Sequence, residues 1–270
     1  MIGKEIRMNR LIPGADGKYL GLTVDHAIAR GVVKGLDTID DTIAKMVKGN
    51  PNAITMHKGI AENCFKKFGG KVPLVLKLTT FGVYHFDEDI QVADIEEALC
   101  MGADAVSIGC IIGGDNQDRQ VEQLGRLIKE AHKYGMPVIS HVYPRGNHIT
   151  GADQYSVENV TYAARVAAEL GVDLVKTNYT GSAESFAKVV QAVPTKVAIA
   201  GGMKCSNVNE FLQQTEEVMN SGAVGVTYGR FVMQYPNMVA LIQTLSKMIH
   251  EGLPLKDAQE LLKQLECESK

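Results

Sequence analysis

The sequence predicts a single (β/α)8 barrel. Three observations carry the prediction: eight short apolar runs, helical patterns between them, and a recurrent junction in which a helix closes on glycine just before the next run. The junction is read in E-E-A-L-C-M-G-A-D-A-V-S-I-G and again around Gly135, Gly171 and Gly222. Gly102 and these three glycines suit the left-handed position that ends a helix, where a Cβ would be penalised.

The candidate strands lie near 19–24, 53–57, 73–78, 104–108, 137–142, 173–176, 196–200 and 223–228. Each is nearly continuous in Val, Ile, Leu and Ala, as expected of parallel strands covered on both faces. Helical periodicity fills 121–134 and 158–170, and 255–266 reads as an extra C-terminal helix behind a short N-terminal extension. An open doubly wound sheet would carry a glycine-rich turn after its first strand, whereas this one runs into Asp25, His26 and Ala27. The whole of 1–270 is expected to form one domain, a length that suits one barrel.

Hydrophobic residues make up 45% and charged residues 22%, the mixture of an ordinary globular chain. A net charge of −3 and the absence of an arginine-rich stripe give no basis for nucleic-acid binding. No apolar run reaches the roughly 20 residues of a membrane span, and the N-terminus lacks a signal-peptide core, so a cytoplasmic location is expected. Five cysteines, an odd number without a CxxC pair, argue against a disulfide framework or a zinc site.

A barrel of this kind carries its chemistry at the C-terminal ends of its strands. Lys176, in L-G-V-D-L-V-K-T-N, places an amine at the end of a buried run. Poor solvation and neighbouring cations lower a lysine pKa and raise the free amine that attacks a carbonyl to form an imine. The same residue could instead be a structural lysine paired with a carboxylate such as Asp25. Tyr143, in S-H-V-Y-P-R-G, could exchange protons beside it, or simply pack.

Asp25 could assist imine formation from across the mouth, or form a plain salt bridge. His26, His57, Lys58 and Arg145 are further candidate substrate-binding groups at strand ends. A-G-G-M-K and Y-G-R supply Gly201, Gly202, Lys204, Gly229 and Arg230 after the seventh and eighth runs, where many barrels hold a phosphate. The histidines show no HxH or HxxxH spacing and no carboxylate partner, so no metal is expected.

Seven segments together resemble one family: T-V-D-H at 23–26, H-K-G-I at 57–60, G-A-D-A-V-S-I at 102–108, Y-P-R-G at 143–146, V-K-T-N-Y-T-G at 175–181, A-G-G-M-K at 200–204 and Y-G-R at 228–230. They are similar to the archaeal-type class I fructose-bisphosphate aldolases and to their close relative, 2-amino-3,7-dideoxy-D-threo-hept-6-ulosonate synthase, over nearly the whole chain. The resemblance implies Lys176 as Schiff-base lysine, Tyr143 as general acid/base, Asp25 as assisting carboxylate, and Gly201, Gly202, Gly229 and Arg230 as phosphate loops. It also implies no cofactor, a phosphorylated small-molecule substrate and a homo-oligomer, often a decamer.

Ala27, Met203 and His141 depart from the family pattern, standing where glycine, proline and, in many aldolases, tryptophan occur. The leading expectation is reversible cleavage of fructose 1,6-bisphosphate. The alternatives are the transaldol-type synthase, toward which His57 leans, a thiolase of the phosphorylated-pentanedione type, and a non-catalytic sugar-phosphate-binding barrel.

Overall fold

The computed structural model of the protein describes residues 1–201 and 205–268. Eight parallel strands close into a barrel: β1 Tyr19–Thr23, β2 Ala53–Met56, β3 Leu74–Lys77, β4 Ala105–Ile112, β5 Val138–Pro144, β6 Leu174–Thr177, β7 Lys196–Ala200 and β8 Gly225–Tyr228. Every strand pairs with its sequence neighbours, and β1 closes the ring against β8 in the register Tyr19↔Gly225. The longer helices are α1 Ile2–Leu11, α2 Ile39–Gly49, α3 Ile95–Cys100, α4 Gln117–Lys133, α5 Val157–Glu169, α6 Ala183–Ala192, α7 Val208–Asn220, α8 Met238–His250 and α9 Leu255–Glu268. None of them is long and apolar enough to cross a membrane.

Side chains alternate across each strand, and the two sets build two separate cores. Outward residues such as Leu20, Leu22, Ile54, Met56, Leu76 and Val106 pack against the helices. Inward residues Tyr19, Ala53, Val75, Ala105, Ile139, Leu174 and Ala198 fill the barrel floor, joined there by Leu11 of α1. Gly225 is required at this level, because a Cβ there would overlap the Tyr19 carbonyl.

The helix-to-strand junctions explain how α1 is held under the floor. Asp104 and Asp173 stand at equivalent places before β4 and β6, and their carboxylates accept the Leu74 and Val138 N–H groups at 3.3 and 2.9 Å. Each also meets a cation from α1: Arg10 lies 3.0 Å from Asp104 and Lys4 lies 2.7 Å from Asp173. Arg7 donates to the Gly135 carbonyl at 3.0 Å. Gly102, Gly135, Gly171 and Gly222 all have positive φ, as the junction pattern requires.

Three features differ from the sequence reading. β4 continues past Gly109 to Ile112, because this glycine is not a breaker: a Cβ there would overlap the carboxylate of Asp89. β5 runs beyond the expected end near 142, through Tyr143 to Pro144. A two-residue antiparallel ladder, Thr79–Thr80 with Ile90–Gln91, forms after β3 and closes the loop between them. Leu11→Ala should open a cavity in the floor and lower unfolding free energy by about 2–5 kcal/mol, measured by chemical denaturation.

Candidate active site

Continuing the inward alternation past the floor reaches the C-terminal mouth. There a cleft of about 180 Å³ is lined by Asp25, His26, Lys77, Asp89, His141, Tyr143, Arg145, Lys176, Gly201, Gly229 and Arg230, among others. Strand spacing puts the key groups there: Lys176 stands two residues above the floor residue Leu174, and His141, Tyr143 and Arg145 follow Ile139 at steps of two. His141 and Lys176 are also register partners across β5 and β6.

Lys176 is buried, with 6% exposure, yet it has no ion-pair partner within 4 Å and no hydrogen bond among the described residues. Burial lowers its pKa, Asp25 opposes the change and Lys77 adds to it, giving a value of about 8. The structural-salt-bridge alternative therefore lacks its bridge. At neutrality roughly a tenth of the amine is then free, far more than an ordinary lysine supplies.

Asp25 lies two residues beyond β1, at the N-cap of the short helix His26–Arg30. Burial works against its ionisation, but the facing charges of His26, Lys176, Lys77 and His57 outweigh it and hold the carboxyl below its usual range. His26 is itself pushed down to about 4, chiefly by burial, so at neutral pH the two lysines provide the counter-charge. The imidazoles of His26 and His141 flank Asp25 at 3.7 and 3.9 Å, too far for hydrogen bonds. Burial also holds His57 below its ordinary value and His141 well below it.

Tyr143 is raised by burial and stays a protonated phenol across the physiological range. The Arg145 guanidinium lies 4.2 Å from the Phe81 ring centroid and 5.5 Å from that of Tyr143. Its Nε and Nη2 are buried without hydrogen-bond partners. Gly229 leaves space for its neighbours, since a Cβ there would overlap the His26 ring. Arg230 faces Arg30, which with burial lowers its pKa.

Of the sequence candidates, Asp25, His26, Tyr143, Arg145, Lys176, Gly201, Gly229 and Arg230 meet in this cleft. Gly202 and Lys204 lie outside the described residues. His57 does not line the cleft but approaches it beside Lys77, with a buried Nε2 that has no hydrogen-bond partner. Lys58 points elsewhere, donating to Glu97 of α3 at 2.5 Å. Sequence reasoning did not single out Arg30, Phe81, Asp89, Tyr155 or Asn178. Asn178 was within reach, two residues beyond Lys176 on the same face.

Residues 20–235 match the family described as DeoC/LacD family aldolase. The chain belongs to the DeoC/LacD aldolase family. A 2-amino-3,7-dideoxy-D-threo-hept-6-ulosonate synthase of Halobacterium salinarum is 34% identical over 251 residues, covering 92% of each chain. A fructose-bisphosphate aldolase class 1 of Thermoproteus tenax is 33% identical over 251 residues, covering 89% of this chain and 93% of its own.

An archaeal fructose-1,6-bisphosphate aldolase, solved with its catalytic Lys covalently bound to the carbinolamine intermediate of the substrate, matches with a TM-score of 0.82 at 30% identity. The match covers 92% of this chain and 99% of that one. This DeoC/LacD aldolase is thus a carbon–carbon lyase of the class I, Schiff-base type.

Cyanate reacts with neutral amines, so carbamylation of Lys176, followed by peptide mass spectrometry, should rise with pH through a midpoint near 8. Lys77→Met should move that midpoint up and Asp25→Asn should move it down. A midpoint at the ordinary lysine value would refute the assigned electrostatics.

Proposed function

We propose that the protein cleaves a ketose 1-phosphate by a reversible aldol reaction, with Lys176 as the Schiff-base nucleophile and fructose 1,6-bisphosphate as the leading substrate. The observation that carries this reading is an amine unpaired among the described residues, with a pKa of about 8, in a cleft rich in cations. Lys and Arg supply five charged groups to that lining, Arg30, Lys77, Arg145, Lys176 and Arg230, against the two carboxylates of Asp25 and Asp89. The chain as a whole carries −3, so positive charge is concentrated where a phosphorylated substrate would bind.

Lys176 Nζ adds to the C2 carbonyl, and Asp25 takes a proton from the resulting ammonium nitrogen and passes it to the C2 alkoxide, giving a neutral carbinolamine. The Tyr143 phenol donates its proton to the carbinolamine hydroxyl, which leaves as water and generates the iminium. The tyrosinate then takes the proton of the C4 hydroxyl. The C3–C4 electron pair flows into the iminium, releasing the aldehyde and leaving an enamine on Lys176. Gly201, Gly229, Arg230 and Arg30 form the side of the mouth assigned to the phosphate.

A second reading, transaldol synthesis on the heptulosonate route, draws support from the Halobacterium salinarum relative and from His141 facing Asp25. It uses the same imine but delivers the enamine to an amino-aldehyde. Product formed only with aspartate semialdehyde, and none from fructose 1,6-bisphosphate, would establish it in place of the leading reading.

Borohydride reduction in the presence of dihydroxyacetone phosphate should leave a stable adduct on Lys176, identified by peptide mass analysis. An unmodified Lys176 overturns the imine mechanism. Tyr143→Phe should lower kcat by about 10²–10⁴-fold, the range for a lost general acid/base. With the lysine as nucleophile, kcat/KM should rise with pH through about 8 as the free amine forms.

A further inference from the structure

The wall of β3 and β4, opposite the glycine loops of β7 and β8, carries a charge pair that the steps above leave unused. Lys77 of β3 and Asp89 of the following loop are both almost fully buried, and their Nζ and Oδ1 atoms lie 3.9 Å apart. That separation is too long for a hydrogen bond, and Asp89 Oδ1 is buried without one. Lys77 Nζ donates to Thr79 Oγ1 at 3.3 Å, and the same hydroxyl accepts the Gly109 N–H at 2.6 Å.

The fold does not need the Asp89 carboxylate. Its loop is fastened through the Asp89 backbone, whose N–H donates to Gln120 Oε1 at 3.2 Å. The Asp89 carbonyl accepts from Gln120 and Gln123 Nε2 at 3.0 and 2.9 Å. The barrel also gives up a side chain to admit that carboxylate: Gly109 lies in the middle of β4, where glycine weakens a strand, and any Cβ there would overlap Asp89. A buried carboxylate with unused acceptor capacity is costly unless something completes its hydrogen bonding.

We propose that Asp89 is a specificity-determining residue: with Lys77 it forms a donor–acceptor pair that binds a hydroxyl on the aldehyde half of the substrate, distal to the phosphate. The inference rests on the Schiff-base role of Lys176. β6 and its glycine-loop neighbours occupy one side of the ring, so a ketose joined to Lys176 at C2, with its phosphate toward β7 and β8, extends its remaining carbons toward β3 and β4. A hydroxyl both donates and accepts, which matches an ammonium beside a carboxylate. An anionic group would face the Asp89 charge, an amino group would face Lys77, and an apolar group would leave both unpaired.

The test compares the wild type with Asp89→Asn and Gly109→Ala, whose added methyl should displace the carboxylate without changing Asp89 itself. Each protein is assayed for the borohydride-trapped adduct of dihydroxyacetone phosphate on Lys176. Each is then assayed for condensation of that donor with glycolaldehyde and with acetaldehyde, which lacks the hydroxyl. The wild type should favour glycolaldehyde.

In both variants the adduct should still form, while the ratio of kcat/KM for glycolaldehyde to that for acetaldehyde falls about tenfold or more, as for a lost hydrogen bond to a charged group. An unchanged ratio in Asp89→Asn, or loss of the adduct in the variants alone, overturns the assignment. No adduct in the wild type removes the Schiff-base reading itself, and the inference with it.

Discussion

An amine held out of water, without a partner among the described residues, is the constraint around which the mouth of this barrel is organised. Lowering Lys176 from its ordinary value to about 8 means that keeping it charged in the folded state costs on the order of 3 kcal/mol. The sign follows from linkage. The folded protein binds that proton less tightly than the unfolded chain, so the penalty is fully present below about pH 8 and is relieved as pH rises toward the ordinary lysine range. The outer core between strands and helices, and the separate inner core at the floor, supply the stability against which this cost is set.

The charges near Lys176 form an alternating series from β3 to β6: Asp89, Lys77, Asp25, Lys176. Asp25 pulls the lysine toward its charged form while burial and Lys77 pull it away, and burial prevails. The three neighbouring imidazoles are all held below their ordinary values and contribute little charge at neutrality. The site thus holds an amine, a carboxylate and a protonated phenol close together, with no lysine or arginine of the described residues in a direct ion pair with Asp25.

Much of this was legible because a barrel strand has a simple rule. Near-continuous apolar runs following glycine-closed helices located all eight strands, and the position of Lys176 at a run's end placed it at the mouth. The glycines at 102, 135, 171 and 222 marked real left-handed junctions. The expected strand near 104–108 stopped short of Gly109, which mid-strand makes room for a carboxylate twenty residues earlier, a relationship no local pattern carries. Lys58 misled because its position in H-K-G-I says nothing about Glu97 on a later helix. Asp89 and Arg30 belong to segments after the strand ends, and only the closed ring brings them to the cleft.

The helix beneath the floor bears on the order in which the molecule can assemble. Its contacts are with Asp104, Gly135 and Asp173, and the Arg7 bond to Gly135 spans 128 positions. Such distant contacts form only after their entropic cost of closure has been met, and the last of these partners stands at the threshold of β6. This helix, made before its partners, must therefore wait until the chain has reached β6 before it can take its seat, and its docking reports that the lower rim has been drawn together.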